Sequence, residues 1–235
     1  MSPARRPNEL RPTIIKRYPS AAAGSFMITQ GETRILCTAS LSDQVPAFLI
    51  DKATGQPKRG WVTAEYAMLP GSTPQRKRRG GDSRATEIQR LIGRSLRAAV
   101  DLDAMPGVTI ACDCDVIMAD GGTRTASVTG AFVALATAVE VARRRGLIKK
   151  QVIHGPLAAI SVGIVDGRCH LDLDYELDVR AEVDMNVVMN HKGRFVELQG
   201  TGENGTFDRA QLDALLKLAT SGIRKIMKIQ RQTLA

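Results

Sequence analysis

Short β-rich segments joined by tight turns constrain the fold of this chain most strongly. Nine segments are rich in β-forming residues. Two pairs of them are joined by Asp166-Gly167 and by His191-Lys192-Gly193, which are turns typical of hairpins. The predicted strands are residues 13–18, 25–29, 33–41, 61–67, 108–119, 157–165, 168–173, 183–189 and 195–199.

Three other segments carry apolar residues at helical spacing. They are residues 87–100, 125–145 and 208–229, with Gly222 as a candidate break in the third. Because helices and hairpins are mixed without strict alternation, the pattern predicts the α+β class. The sequence has no long linker and no internal repeat, so we expect one domain over residues 1–235.

The composition narrows the class of protein. The 235 residues include 33 Lys and Arg against 24 Asp and Glu, a net charge of +9, and 43% are hydrophobic. Such a chain is too apolar for disorder, and it has no run of about 18 consecutive apolar residues. The basic residues 1–18 lack the apolar stretch of a secretory signal. We therefore expect a cytoplasmic protein with no membrane partner.

Cysteine and histidine usage predicts neither disulfides nor zinc. Cys112 and Cys114 alternate with aspartates, so a strand would place both thiols on one face, buried and reduced. The three histidines are scattered without metal-ligand spacing.

The excess charge is concentrated in residues 71–97, which hold eight basic residues and two acidic ones, Asp82 and Glu87. Four of the basic residues lie in a Gly-rich loop, where they suit contact with a polyanion backbone, although a solvated face is the simpler explanation. Aromatic residues make up only 4% of the chain and none interleaves with this cluster, so base stacking is not predicted. The four are Arg76, Lys77, Arg78 and Arg79.

Arg84 differs from the arginines that follow it. Arg90, Arg94 and Arg97 share one helix face, which is typical of a solvated or subunit-contact surface. Arg84 projects onto the apolar side, at or before the first turn. A cation there is disfavoured by the helix dipole unless an anion is present, so Arg84 is a candidate anion ligand or a partner in a local salt bridge.

The segment from Asp120 to Ser127 follows a strand and opens the second helix. Gly121 and Gly122 allow close backbone approach, Thr123 supplies a hydroxyl and Arg124 a planar fork. With the free N–H groups of the helix start, these residues suit a phosphate. A glycine turn with a Thr or Ser N-cap is the purely structural alternative.

An acidic segment lies further along the chain. Asp172 and Asp174 alternate with leucines and are predicted to occupy the solvent face of a strand. Asp178 and Asp184 flank a short connection, and a pair of this kind can converge on a hard cation.

These segments resemble the bacterial ribonuclease PH family in order along essentially the whole chain. The resemblance implies an α+β fold of the kind found in polynucleotide phosphorylase and exosome ring subunits. It also implies a phosphate-dependent 3′→5′ exoribonuclease that trims tRNA precursors to nucleoside diphosphates, with a reverse nucleotidyltransferase activity. The matching motifs are NELRP (8–12), GWVTAEYAMLPGST (60–73), RATEIQRLIGRSLRAAVDL (84–102), CDVIMADGGTRTASVTGA (114–131) and AEVDMNVVM (181–189).

Further expectations come from the same resemblance. Asp178 and Asp184 are implied as catalytic and metal-binding carboxylates for Mg²⁺, with Mn²⁺ as the alternative ion, and inorganic phosphate as co-substrate. The implied partners are tRNA precursors and other RNA 3′ ends, in a homo-hexamer built as a trimer of dimers, with no DNA. The implied phosphate ligands are Arg84, Gly122, Thr123 and Arg124, and the implied RNA contacts are Arg76, Lys77, Arg78 and Arg79.

Two features depart from the family pattern. Gly71 stands where many members have an arginine, and residues 50–58 form a longer polar stretch than in some relatives. The alternative functions are an RNA-binding ring subunit without activity and a hydrolytic nuclease. The presence of Arg84, Arg124, Asp178 and Asp184 favours an enzyme.

Overall fold

The structure is a computed structural model that describes residues 5–80 and 83–235. Asp82, which belongs to the charged segment, lies outside the described residues, as do residues 1–4 and Gly81. Within the described residues, all nine predicted strands are present, and they form two sheets.

The first sheet has the strand order β1-β2-β3-β5-β4. Its strands are antiparallel except for β4 and β5, which are parallel because helix α1 crosses between them. The bounds are β1 Thr13–Arg17, β2 Gly24–Gln30, β3 Thr33–Ser42, β4 Trp61–Met68 and β5 Thr109–Met118, with α1 at Ser83–Arg97 and a short 3-10 helix at Ala47–Leu49.

The second sheet has the order β7-β6-β8-β9 and is antiparallel throughout. A short helix, α3, lies between β7 and β8, and the C-terminal helix α4 packs on the sheet. The bounds are β6 Leu157–Val165, β7 Arg168–Leu171, α3 Tyr175–Arg180, β8 Val183–Asn190, β9 Phe195–Gly202 and α4 Arg209–Leu234.

Helix α2, at Thr123–Arg144, packs against β2 and β3 of the first sheet and against β6 of the second. It is long and apolar enough to cross a membrane by length and composition, but 83% of its apolar window is buried inside the protein. That burial is typical of the central helix of a folded core, where a helix is apolar on all sides.

One apolar cluster surrounds α2 and takes residues from both sheets, and a second lies between the second sheet and α4. Cys112 and Cys114 lie fully buried on one face of β5, as the alternation predicts. The apolar side of α1 is also as predicted, with Ile88, Leu91 and Ile92 buried. The prediction of a single domain over residues 1–235 stays a prediction.

Three details of the sequence analysis were wrong: the environment of Asp172, the place of Asp174 and the break at Gly222. Strand β7 ends at Leu171, and Asp172 has no exposed surface instead of lying on a solvent face. Asp174 is the N-cap of α3, a six-residue helix too short to show helical periodicity in the sequence. Helix α4 also continues through Gly222 to Leu234, because the helix packs on the second sheet along this stretch.

Candidate active site

The loop between β5 and α2 has the conformation expected of a phosphate-binding turn. Gly121 and Gly122 both adopt left-handed backbone conformations, with φ of 70° and 66°. Gly122 is the N-cap of α2, and no side chain caps the amides of the first turn there. The start of α2 therefore presents backbone donors and the positive end of the helix dipole at this loop.

Side chains from the first sheet hold this loop in place. Thr33 donates a hydrogen bond from Oγ1 to the Gly121 carbonyl at 2.8 Å and accepts one from the Asp120 N–H at 2.9 Å. Tyr66 donates from its hydroxyl to Thr123 Oγ1 at 2.9 Å. Since the loop is fixed on both sides, Thr123 is buried and oriented before any ligand binds.

Arg124 is tied to two other elements of the fold. Its Nη1 donates to Gln199 Oε1 on β9 at 3.0 Å and lies 3.4 Å from Glu87 Oε1 on α1. Gln199 in turn donates from Nε2 to Glu87 Oε1 at 2.8 Å. The sequence analysis assigned no role to Glu87, although it lies in the 84–102 motif, or to Gln199, which ends a predicted strand.

Arg84 lies in the first turn of α1, one turn before the buried Ile88 and therefore on the apolar side of the helix, but its position at the helix end leaves the side chain exposed. Helix α1 begins at Ser83, whereas the sequence predicted a start at residue 87, so Arg84 belongs to the first turn of the helix. Burial raises the pKa of Asp178, and the positive charges of Arg84 and Arg124 oppose that rise. Both arginines therefore share one electrostatic environment with that carboxylate.

The two carboxylates implied by the resemblance lie close together. Burial raises the pKa of Asp184 to about 6, with a further contribution from repulsion by Asp178, while Arg124 opposes the rise. Burial also raises the pKa of Asp178, and repulsion by Glu203 adds to it. Glu203 follows β9 and was not identified from the sequence. Its carboxylate adds a third negative charge close to the two aspartates.

The donor set of this pocket fits a divalent cation such as Mg²⁺. Carboxylate oxygens are the ligands that Mg²⁺ prefers, and one or two of them suffice because the ion keeps waters and substrate phosphate oxygens. Among residues 5–80 and 83–235, no cluster of three or more Asp, Glu, His or Cys side chains forms a complete metal site. Asp178 and Asp184 thus offer a partial coordination shell.

The basic loop precedes α1 and is anchored beside the phosphate loop. The Ala119 N–H, one residue before Asp120, donates to the Ser72 carbonyl at 2.8 Å, and the Lys77 N–H donates to the Pro70 carbonyl at 3.0 Å. The four basic side chains of the loop are exposed: Arg76, Lys77, Arg78 and Arg79.

Two arginines whose charges act on neighbouring carboxylates, next to a helix start, are typical of enzymes that act on phosphate esters. Comparison with known proteins identifies the protein family within this class of enzymes. The model of domain 1 of the 3′ exoribonuclease family matches residues 9–139, and that of domain 2 matches residues 155–222. The chain therefore belongs to the 3′ exoribonuclease family.

Individual relatives narrow the assignment. The chain is 49% identical over 234 residues to Ribonuclease PH of Corynebacterium kroppenstedtii, covering 97% of this chain and 90% of that one. It is 52% identical over 226 residues to Ribonuclease PH of Corynebacterium glutamicum, covering 94% and 90%. The crystal structure of rice (Oryza sativa) Rrp46 has the same fold, with a TM-score of 0.80 at 18% identity, covering 100% of this chain and 99% of that one.

These findings confirm the family resemblance and the α+β fold class. Identity of about one half over nearly the full length to ribonucleases PH supports a phosphorolytic 3′→5′ exoribonuclease. They do not favour a subunit without activity.

Proposed function

We propose that this chain trims the 3′ ends of tRNA precursors and other RNAs by phosphorolysis, releases nucleoside diphosphates, and also catalyses the reverse addition. One observation carries the residue assignment. Arg84, Arg124 and Asp178 lie on three different elements, yet the charges of both arginines act on the same carboxylate and oppose the rise in its pKa that burial causes. A site assembled in this way holds arginine side chains that can bind phosphate beside carboxylates that can bind a metal ion.

In this proposal Arg84, Arg124 and the Gly122-Thr123 turn bind inorganic phosphate in line with the last phosphodiester of the RNA. An oxygen of that phosphate forms a bond to the phosphorus. The bond from phosphorus to the 3′ oxygen of the preceding nucleotide breaks, and that oxygen takes up a proton. The products are a nucleoside diphosphate and an RNA that is one nucleotide shorter. The arginines contribute by positioning and by stabilising negative charge.

Asp178 and Asp184 are the residues that would hold Mg²⁺, with Mn²⁺ as the alternative ion. When bound, the ion neutralises charge on the phosphate oxygens. Asp178 is carried by α3 and Asp184 by β8, so two different elements would supply the ligands.

RNA is bound in this proposal through the exposed loop that contains Arg76, Lys77, Arg78 and Arg79. Such a loop contacts the phosphate backbone, which is the same in every RNA. The assembly proposed is a homo-hexamer, a trimer of dimers, in the cytoplasm. Size measurement in solution tests the assembly separately from the chemistry.

Digestion of a tRNA with a short 3′ extension in Mg²⁺, with and without inorganic phosphate, tests the reaction. Nucleoside diphosphates that appear only with phosphate support the proposal. Nucleoside monophosphates formed without phosphate would identify a hydrolase and contradict the phosphate-site assignment. RNA binding without products would identify the subunit without activity.

A further inference from the structure

Arg11 is a charged side chain that is almost completely buried, with 6% of its surface exposed. It belongs to the Asn8–Pro12 motif, to which the proposed chemistry assigns no role. Its backbone N–H donates to Asp172 Oδ2 at 2.8 Å, and its Nε and Nη2 donate to Asp172 Oδ1 at 3.1 and 2.7 Å. One carboxylate therefore receives three hydrogen bonds from a single residue.

Asp172 is fully buried and has a left-handed backbone, with φ of 60°, which is uncommon for a residue other than glycine. Gln30 on β2 adds a hydrogen bond from Nε2 to Asp172 Oδ1 at 2.9 Å. The Arg5 guanidinium donates to the Asp172 carbonyl at 2.6 Å. A conformation of this kind persists where its surroundings fix it, and here Arg11, Gln30 and Arg5 do so.

The other face of the Arg11 guanidinium contacts the phosphate loop. Nη1 donates a hydrogen bond to the Asp120 carbonyl and lies 3.8 Å from Asp120 Oδ2. A Cβ atom added at Gly122 would lie 2.9 Å from Arg11 Nη2. Arg11 thus packs directly against the residue that caps helix α2.

The residues that follow Asp172 lead to α3, the helix that carries Asp178. A Cβ atom added at Gly121 would lie 2.7 Å from the Leu173 carbonyl oxygen and 2.6 Å from the Asp174 carbonyl carbon, so these residues pack on the loop. Asp174 then caps α3, accepting from the Leu177 N–H at 3.0 Å.

We propose that the Arg11–Asp172 ion pair is a positioning element that sets the phosphate loop against the helix that carries Asp178. The inference rests on the proposed function and adds the Asn8–Pro12 motif to it. Buried ion pairs contribute little net stability compared with apolar packing, so stability alone does not account for this one. Its contacts join the part of the chain that holds phosphate to the part that holds the carboxylates.

The test uses Asp172→Asn, which keeps the side-chain shape and removes the charge, and Arg11→Lys, which keeps the charge but loses the fork that reaches Asp120. Both are expected to raise the KM for phosphate at least about tenfold, because a misplaced loop binds phosphate poorly. The affinity for RNA is expected to stay unchanged. The control is Ile110→Ala, a cavity in the core at the start of β5, at the opposite end of that strand from the loop.

Phosphate binding is also measured without RNA, as the rise in Tm caused by inorganic phosphate. The rise is expected in the wild type and in Ile110→Ala, and it is expected to shrink in Asp172→Asn and Arg11→Lys. A variant with lowered Tm but unchanged KM and unchanged phosphate response would overturn the inference. If the Asp172→Asn protein does not fold, the KM and the phosphate response of the Arg11→Lys protein decide whether the inference holds.

This second measurement separates the two proposals. A wild-type protein that binds phosphate but releases no nucleoside diphosphates overturns the proposed function, while the effect of Asp172→Asn on phosphate binding still decides the inference. A wild-type protein whose Tm does not respond to phosphate overturns the inference as well.

Discussion

The Tyr66 hydroxyl donates a hydrogen bond to Thr123 Oγ1 at 2.9 Å, and both side chains are buried. Burial raises the pKa of Tyr66, so the phenol stays protonated and keeps its role as donor at neutral pH. The bond joins strand β4 to the first residue of helix α2. The orientation of Thr123 at the phosphate loop therefore depends on the first sheet as well as on the loop sequence.

Replacing Tyr66 with phenylalanine removes only this hydroxyl. We expect a loss of about 1 kcal/mol in the free energy of unfolding, since one buried hydrogen bond is lost, and an increase in the KM for phosphate. Urea unfolding and steady-state kinetics measure the two effects. Tyr18→Phe, at an exposed position, is the control and is expected to change neither. A Tyr66→Phe protein with wild-type KM would show that Thr123 needs no such support.

Arg124→Ala is expected to reduce phosphorolysis by a factor of about 100 or more, because one of the two arginines proposed to bind phosphate is lost. RNA binding is expected to remain, since the basic loop is untouched. The control is Arg144→Ala, which removes an exposed arginine from the other end of α2. Equal losses of RNA binding and phosphorolysis would contradict the assignment of Arg124 to phosphate.

Asp184→Asn is expected to abolish activity and yet to stabilise the protein against unfolding in buffer free of divalent ions. Burial and repulsion by Asp178 raise the pKa of Asp184 to about 6. Above that pH the folded state carries an ionised carboxylate that the unfolded state hydrates more favourably, so folding loses stability as the pH rises from about 4 to about 6. The substitution removes this cost, which is about 1–3 kcal/mol.

Urea unfolding at pH 8 with a chelator measures this gain. Asp213→Asn on the exposed surface of α4 is the control and is expected to leave the unfolding free energy close to that of the wild type. A destabilised Asp184→Asn protein would show that the carboxylate is held by favourable contacts in the absence of a cation.

Neutralising two positions of the basic loop, Arg78→Gln with Arg79→Gln, is expected to weaken RNA binding and to reduce its dependence on salt. Each lost phosphate contact lowers the slope of log K against log salt by about 0.7 for single-stranded RNA. The matched control is Lys149→Gln with Lys150→Gln, two exposed lysines after α2. The KM for phosphate is expected to stay constant in both pairs, and a change in it would argue against separate RNA and phosphate sites.

The sequence by itself determined the strands and the three long helices, but not the short helix α3, because periodicity depends on local geometry and needs several turns to show. All nine predicted strands are present, and strand β6 has the predicted bounds of residues 157–165. The family motifs also led from the sequence to Arg84, Arg124, Asp178 and Asp184. Their proximity was not encoded in any local pattern, since they lie on four elements from both halves of the chain.

Only the tertiary structure decided the environment of each charge. The alternation around Asp172 predicted a solvent-facing residue, but the carboxylate is buried because Arg11, 161 positions away, supplies its hydrogen bonds. Glu203 and Gln199 likewise acquire their roles through the return of strand β9 and the chain beyond it to the site. Burial and distant charges fix the protonation and orientation of a side chain, and these depend on contacts between segments that are remote in the sequence.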